Sequence, residues 1–491
     1  MKEKTKVKLI DIFFIIITMV LFAATVLPRN LENLDEIWNF NFARNISNGL
    51  LPYKDFNMLQ TPLLSFILGG ILKLFGQELF VMRIASLVLG AGILFIAFKI
   101  LRELKINTKW SIFSSALLFL FIKDSFYIDY NYAILFVTLL LIYIELKYKN
   151  YSVKYNVLIG LLAGITILLK QSTGIIISAI TVLYLLLEKR DKETLKAILY
   201  RVTGVLIPCI IFVIYLFLTN SMSSFIDYCI LGIGTFQNKI SYLKLIQGKD
   251  LTAFLALLVT VTLIILLVIN LLHVKQGKLK ENIQDIILFV FSLGQFIMIY
   301  PISDDIHFKI AAFPTIVIIL YYVCKNIQEL KNIKLSIFIE HFMNIITISF
   351  VGLLILKSIN DIYLYSQTDK SILKHFSNIP ISSTLQDRII EVDNFIQNEK
   401  KNVYILDSEA AVYMIPLDRY NKDFDMFLKG NLGQASEEGQ IEKIKNMKDT
   451  LILIKNNKIP LNWQTPKEVI TYVKENLRKV GTVSFFDIYE L

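Results

Sequence analysis

The chain has 491 residues, 55% of them hydrophobic, with a mean hydropathy of +0.57 and a formal net charge of +10. Apolar runs this long and frequent exclude an ordinary soluble protein of this length. They also change what the charge means, because lysine excess in a membrane chain belongs to cytoplasmic loops facing anionic lipid, so no nucleic acid is expected as a partner. The three cysteines (Cys209, Cys229, Cys324) have no CxxC spacing, which leaves neither a zinc knuckle nor a disulfide framework to propose.

Residues 9–27 form an apolar run long enough to cross a bilayer, preceded by the basic segment MKEKTKVK. No small-residue cleavage site precedes Pro28-Arg29-Asn30, so the run is expected as an uncleaved anchor. Its N-terminus is then cytoplasmic and the loop after it lies outside. Residues 62–75 are apolar but short. At about 1.5 Å per residue they reach roughly 21 Å, less than a hydrocarbon core of roughly 30 Å. An interfacial or re-entrant helix is expected there. That choice also leaves the basic cluster Lys99, Arg102, Lys105 and Lys109 in the cytoplasm.

Further spans are expected at 80–98, 110–122, 128–146, 156–169, 172–187, 197–218, 251–272, 285–300, 309–324 and 340–357. With the first run this makes about eleven transmembrane helices. The connections at 147–155, 188–196, 273–282 and 324–334 are lysine-rich and are read as cytoplasmic. Those at 123–129, around Lys170-Gln171, at 219–250 and at 301–308 are acidic or mixed and are read as external. The C-terminus is then outside.

After residue 357 the character changes. Charged residues become frequent over 366–491. Residues 386–399 show helical spacing of Ile389, Ile390, Val392 and Phe395. Strand-like runs follow at 403–408, 450–456 and 480–491. Residues 465–477 read as a helix with Thr465 as N-cap and Pro466 in its first position. The expected class is therefore a mainly α polytopic membrane protein with a small extracytoplasmic α/β domain. The domains are 1–360, which includes the first outer loop 28–83, and 366–491. The outer domain is expected to bind an acceptor or to cover the cleft.

Four places could carry chemistry. Asp35-Glu36 lies about eight residues past the first span, beside Trp38 and Phe40. Such a pair is ordinarily a solvated loop feature. At a membrane surface it also suits a general base that takes the proton of an acceptor hydroxyl while a lipid-phosphate sugar is attacked. The leaving group of that reaction is a phosphate, which needs cations nearby. Asp129 stands at the entrance to the 128–146 span, where a carboxylate either caps the helix or serves a site. Lys170 interrupts two apolar runs at the outer end, as a snorkelling anchor or as a phosphate-binding cation. The loop 300–309 carries Asp304, Asp305, His307 and Lys309. It is either a hydrated connection or a set of phosphate, sugar or metal contacts. His273, His341 and His375 receive no role. No Walker loop, GxGxxG, GxSxG or HExxH occurs.

The run LDEIWNFNFARNISNGLLPYKDF…QTPLLSFILGGILKLFGQELFVMRIASLVLG resembles the first external loop of the GT-C glycosyltransferases. It is most similar to the family 39 type, which includes aminoarabinose transferases and protein O-mannosyltransferases. Those carry an acidic pair after the first helix, then a Gly-x-x-Pro-Tyr-like turn, a Pro-Pro-Leu segment, and a short helix ending in Gly before an Arg. The matching residues are Asp35, Glu36, Gly49, Pro52, Tyr53, Pro62, Leu63, Gly76 and Arg83. The resemblance implies that Asp35 is the catalytic base and that Glu36 assists it or binds a cation. It adds Tyr53, Gln60, Arg83, Asp129, Lys170, His307 and Lys309 as substrate contacts. A divalent cation is left open, with Glu36, Asp129 and His307 as candidate ligands. Several relatives carry Lys or His just before the Pro pair. This chain has Gln60-Thr61-Pro62, so that cationic contact is left to another residue.

The implied protein is a multi-pass membrane glycosyltransferase, and the Lys-, Ile- and Asn-rich style of the sequence points to a bacterial plasma membrane. Its partners are the lipid bilayer, a polyprenyl-phosphate-linked sugar, and an envelope glycan, lipid or protein as acceptor. Two alternatives stand beside it: a transporter or flippase of a lipid-linked sugar, and a non-catalytic envelope-assembly protein.

Overall fold

The computed structural model describes all residues except 1, 33, 149–151, 189–190, 236–239, 279–280, 330–332, 422–423 and 457–463. Each of the four basic connections, and the 219–250 connection, falls partly outside the described residues. The chain forms two compact units. The first comprises residues 1–27, 84–211 and 239–366. The second comprises 28–83, 212–238 and 367–491.

The first unit is a helical bundle. Each of the eleven expected spans falls on a helix. Among the described residues, seven helices are long and apolar enough to cross a membrane: Leu9–Val26, Leu79–Glu103, Tyr130–Tyr148, Lys192–Leu218, Leu251–Lys275, Asp305–Gln328 and Glu340–Gln367. The rest are shorter apolar helices, among them Thr108–Ile122, Val153–Leu169 and Ile283–Ile299. The helix Leu251–Lys275 exposes Phe254, Leu257, Ile264 and Leu271. A face of that kind would be intolerable in water, and against acyl chains it is the expected outer surface. Small residues set the closest helix approach. A Cβ on Gly160 would lie 2.1 Å from the Arg201 carbonyl oxygen, and one on Gly204 would lie 2.4 Å from that of Val157. Helix association in lipid lacks a hydrophobic drive, so backbone contact at glycine substitutes for it.

One carboxylate-centred network completes this bundle. Glu145, buried on the helix Tyr130–Tyr148, lies 2.6 Å from Arg201 Nη1. Its Oε2 accepts from Tyr155 at 3.0 Å and Tyr184 at 2.5 Å. Arg201 in turn donates to Asn156 Oδ1 and to the Thr181 carbonyl. A charge buried among apolar helices is tolerated only when paired and hydrogen-bonded in this way.

The second unit holds the expected interfacial segment. The acidic pair opens the helix Leu34–Ser47, and the 62–75 run forms the thirteen-residue helix Leu63–Phe75, closed by Gly76 at φ 110°. These two helices pack closely. A Cβ on Gly69 would meet Ile46 Cγ2 at 2.8 Å and the Ala43 carbonyl at 2.9 Å. Trp38, Phe42, Tyr53, Phe56 and Met58 form an apolar core with Leu216, Cys229, Met426 and Leu428. The 219–250 connection is not plain loop, since it holds short helical turns at Met222–Phe225, Ile226–Leu231 and Tyr242–Ile246.

The C-terminal part of this unit is α/β. Strands β1 (Asn402–Ile405), β2 (Thr450–Lys455), β3 (Arg478–Val483) and β4 (Phe486–Glu490) lie in the order β1-β2-β4-β3. β1 is parallel to β2, and the other pairings are antiparallel. The helix expected at 386–399 runs from Ser383 to Asn398, capped by the Ser382 side chain. Two expectations are corrected. The 480–491 run is a hairpin, turning at Ser484 with φ 51°. The helix Lys467–Asn476 has Pro466, not Thr465, at its N-cap, with no side-chain cap of its own. Glu437 supplies the missing acceptor from elsewhere in the chain, taking the Glu468 N–H at 2.7 Å. A carboxylate at a helix N-terminus also meets the positive end of the dipole, which makes it a better cap than a threonine hydroxyl.

Candidate active site

The candidate residues divide between the two units. In the second unit, Asp35 and Glu36 occupy the first helical turn of Leu34–Ser47. Asp35 is half-buried, and its carbonyl accepts from the Asn39 side chain at 2.8 Å. Glu36 is buried and held by Arg83 through a fork: Nε donates to Oε1 at 3.0 Å and Nη2 to Oε2 at 2.8 Å. The same guanidinium donates to the Arg29 carbonyl at 2.6 Å and the Asn30 carbonyl at 3.4 Å. Both Glu36 oxygens and most Arg83 donors are therefore committed inside the protein. The consequence is positional. The guanidinium staples the chain before the helix, the helix start and residue 83 together, and the backbone that carries Asp35 is fixed with them.

Tyr53 sits in the left-handed region at φ 65°, buried, and its hydroxyl donates to the Gln60 carbonyl at 2.5 Å. Cys229 Sγ lies 3.3 Å from the same hydroxyl. The Pro52-Tyr53 turn is thus braced across to residue 60. Gln60 itself is buried, and its Oε1 has no partner among the described residues.

In the first unit, Asp129 is buried at the start of the helix Tyr130–Tyr148. Its Oδ1 accepts the Asn131 and Tyr132 N–H groups at 2.6 and 3.1 Å. Its Oδ2 accepts from the Asn131 amide at 3.0 Å, and Lys170 Nζ donates to the Asn131 Oδ1 at 2.9 Å. Asp129 therefore caps the helix and, through Asn131, meets Lys170. Lys170 also lies 5.4 Å from the Tyr130 ring centroid. Burial pulls its ammonium down to about 8, with the Asp129 carboxylate pulling the other way. Asn131 gave no sequence signal of its own. An i+2 amide after a capping Asp is legible as a turn but not as a bridge to residue 170.

The 300–309 loop pairs its charges locally. His307 Nδ1 lies 2.8 Å from Asp304 Oδ1, and Lys309 lies 2.6 Å from Asp305. Burial pushes the Asp304 carboxyl up, but its hydrogen bonds and charge contact with His307 outweigh this and lower it. No group of three or more His, Cys, Asp or Glu side chains suited to a metal occurs among the described residues.

This is a multi-pass membrane protein whose candidate groups are carboxylates and cations on helix starts and on the connections between helices. Residues 59–217 match the sequence model of the family described as dolichyl-phosphate-mannose-protein mannosyltransferase. That segment contains Gln60, Arg83, Asp129 and Lys170, while Asp35 and Glu36 precede it. No curated protein matches the chain. Among solved structures the chain is similar to ArnT from Cupriavidus metallidurans in two states. The apo crystal structure gives a TM-score of 0.56 at 12% identity, covering 97% of this chain and 97% of that one. The structure bound to undecaprenyl phosphate gives 0.57 at 10% identity, with the same coverage of each. At these identities the likeness is one of fold. With the family match it bears out the resemblance to GT-C membrane glycosyltransferases that the 34–90 run carries.

Proposed function

We propose that the protein transfers a sugar from a polyprenyl-phosphate carrier to a hydroxyl of an envelope glycan, lipid or protein on the outer face of a bacterial plasma membrane. The observation that carries this reading is Asp35: a half-buried carboxylate in the first turn of a helix, on a backbone stapled by Glu36 and Arg83. A carboxylate so positioned can take the proton of an acceptor hydroxyl, the step a general base performs. The ArnT fold, solved in one case with undecaprenyl phosphate, supports a polyprenyl carrier as the donor lipid.

In this mechanism Asp35 takes the proton of the acceptor hydroxyl as its oxygen forms a bond to the anomeric carbon. The bond from that carbon to the phosphate oxygen breaks, and the polyprenyl phosphate leaves with the electron pair. One displacement inverts the anomeric centre. Lys170, held by Asn131 near Asp129, is the cation assigned to the carrier phosphate. Glu36 and Arg83 act by position, and Asp129 acts by holding Asn131 and the start of its helix. The C-terminal part of the second unit is assigned to the acceptor side.

The test uses purified protein in liposomes, a panel of polyprenyl-phosphate sugars and an envelope extract. Release of free polyprenyl phosphate by wild type but not by Asp35→Asn is expected, a loss of about 10²–10⁴-fold for removal of a general base. Equal release by both proteins removes Asp35 from the mechanism.

A further inference from the structure

Apart from Asp35 and Glu36, the second unit contains a cavity of about 540 Å³. That is within the usual range for a small-molecule site. Its walls come from the far end of the acidic-pair helix (Arg44, Asn45) and from Gln77, Lys374, His375 and Asp418. The charges in it are arranged around one carboxylate. Arg44 Nη2 lies 3.1 Å from Asp418 Oδ1, and His375 Nε2 lies 2.6 Å from the same oxygen. Lys374 pairs with Asp418 Oδ2. The other ring nitrogen of His375 lies 2.6 Å from the Gln77 carbonyl. Both ring nitrogens of His375 therefore face oxygen acceptors.

Arg44, Lys374 and His375 thus converge on one carboxylate. Burial pushes the Asp418 carboxyl up, but hydrogen bonds from Lys374, His375 and Arg44 outweigh it and hold the group well below the usual carboxylate range. The carboxylate is half-exposed. Arg44 and Asn45 are almost wholly buried, yet Arg44 Nε and Asn45 Nδ2 have no hydrogen-bond partner among the described residues. An orphaned buried donor costs about 1–3 kcal/mol, so two in one wall are unusual unless something else supplies acceptors. Both orphans are donors, and Arg44 and Lys374 bring two cations to the cavity wall. The missing ligand is therefore rich in acceptors and negative. The amides of Asn45 and Gln77 suit ring hydroxyls, and the cations suit a charged oxygen group.

We propose that this cavity is a second binding site, separate from Asp35, for a phosphate-bearing saccharide. Its phosphate displaces Asp418 as the partner of Lys374 and His375, and its hydroxyls meet Asn45 and Gln77. The same chemistry is offered by a soluble phosphosaccharide and by a lipid headgroup, and the test separates the two sources. The proposal does not rest on the transferase reading, because it is tested by binding alone.

The test is calorimetry on the full chain in phosphatidylcholine nanodiscs, titrated with glucose 6-phosphate, inorganic phosphate and glucose. Glucose 6-phosphate is expected to bind more tightly than either of the others, with Kd rising about tenfold in Lys374→Gln and in His375→Gln. Lys374 is mostly exposed, so its replacement leaves the fold intact. Asp418→Asn removes the competing anion and is expected to tighten binding, whereas a purely structural carboxylate would leave binding unchanged. Repeating the titration in nanodiscs containing phosphatidylinositol distinguishes the sources: a lower apparent affinity there assigns the site to a lipid headgroup, and an unchanged one to a soluble or glycan-borne phosphate. Absence of glucose 6-phosphate binding in phosphatidylcholine discs, or binding indifferent to all three substitutions, overturns the proposal.

Discussion

Arg83 gives the sharpest test of how the site is held. Arg83→Met leaves the Glu36 carboxylate inside the protein without its countercharge, and it strips a donor from the Arg29 and Asn30 carbonyls. Breaking one partner of a buried pair costs about 3–5 kcal/mol. Each carbonyl that loses its bond adds about 1 kcal/mol. The expected destabilisation is therefore about 5–7 kcal/mol. Arg83→Lys keeps the charge but cannot form the fork or reach both carbonyls, so about half of that loss is expected. The double variant Glu36→Gln with Arg83→Met removes the stranded charge and should be more stable than Arg83→Met alone. Trp38 reports on this region, since it lies in the same helix and its indole N–H donates to the Ser408 carbonyl at 2.8 Å. Denaturant unfolding in detergent, followed by Trp38 fluorescence in a Trp110→Phe, Trp463→Phe background, reads the order directly. The reasoning fails if Arg83→Met unfolds within about 0.5 kcal/mol of the parent, the scale of an ordinary surface change. It fails in a different way if stability holds but transfer is lost, because Arg83 would then touch substrate.

Three further outcomes follow from the same geometry. Lys170 is pulled down to about 8, so carrier release is expected to fall as pH rises through about 8, and Lys170→Met should remove that fall along with most of the activity; a pH profile shared by both proteins would contradict it. In the helical bundle, Glu145→Ala leaves Arg201 buried and unpaired, for an expected loss of about 3–5 kcal/mol in thermal or denaturant unfolding, while Glu145→Ala with Arg201→Met should recover much of it. Asp393 is buried, its Oδ1 has no partner among the described residues, and burial pushes its carboxyl from 3.8 up to about 7. The folded state holds that proton more tightly than the unfolded chain. Its contribution is therefore complete below about pH 4 and is lost as pH rises to about 7, by at most about 4 kcal/mol. Asp393→Asn should flatten the stability profile over that window, and parallel profiles for the two proteins would refute the assignment.

Much of the fold was legible because lipid leaves the chain few options. A backbone in hydrocarbon must satisfy its own hydrogen bonds, so each apolar run of sufficient length becomes a helix, and every expected span falls on one. The shortness of 62–75 likewise foretold a short helix, and the acidic pair was legible as a helix start. Local pattern was less reliable where a partner far away in sequence decides. Thr465 had the right identity for a cap, but Glu437 supplies the acceptor. The 480–491 run looked continuous because nothing in its hydropathy marks the turn at Ser484.

The candidate site shows the same division. Composition and hydropathy by themselves determined a membrane protein, and the residue run 34–83 determined its resemblance to GT-C transferases. Periodicity reports only which face of an element is apolar. It cannot say which distant charges meet. That Arg83 grips Glu36, that Asn131 links Asp129 to Lys170, and that Glu145 and Arg201 neutralise each other were decided by the tertiary structure. So was the gathering of 28–83, 212–238 and 367–491 into one unit, where His375, without a role in the sequence, faces Asp418 and Arg44. The physical reason is that an ion pair's strength depends on burial and separation in space, and neither is written in the spacing along the chain.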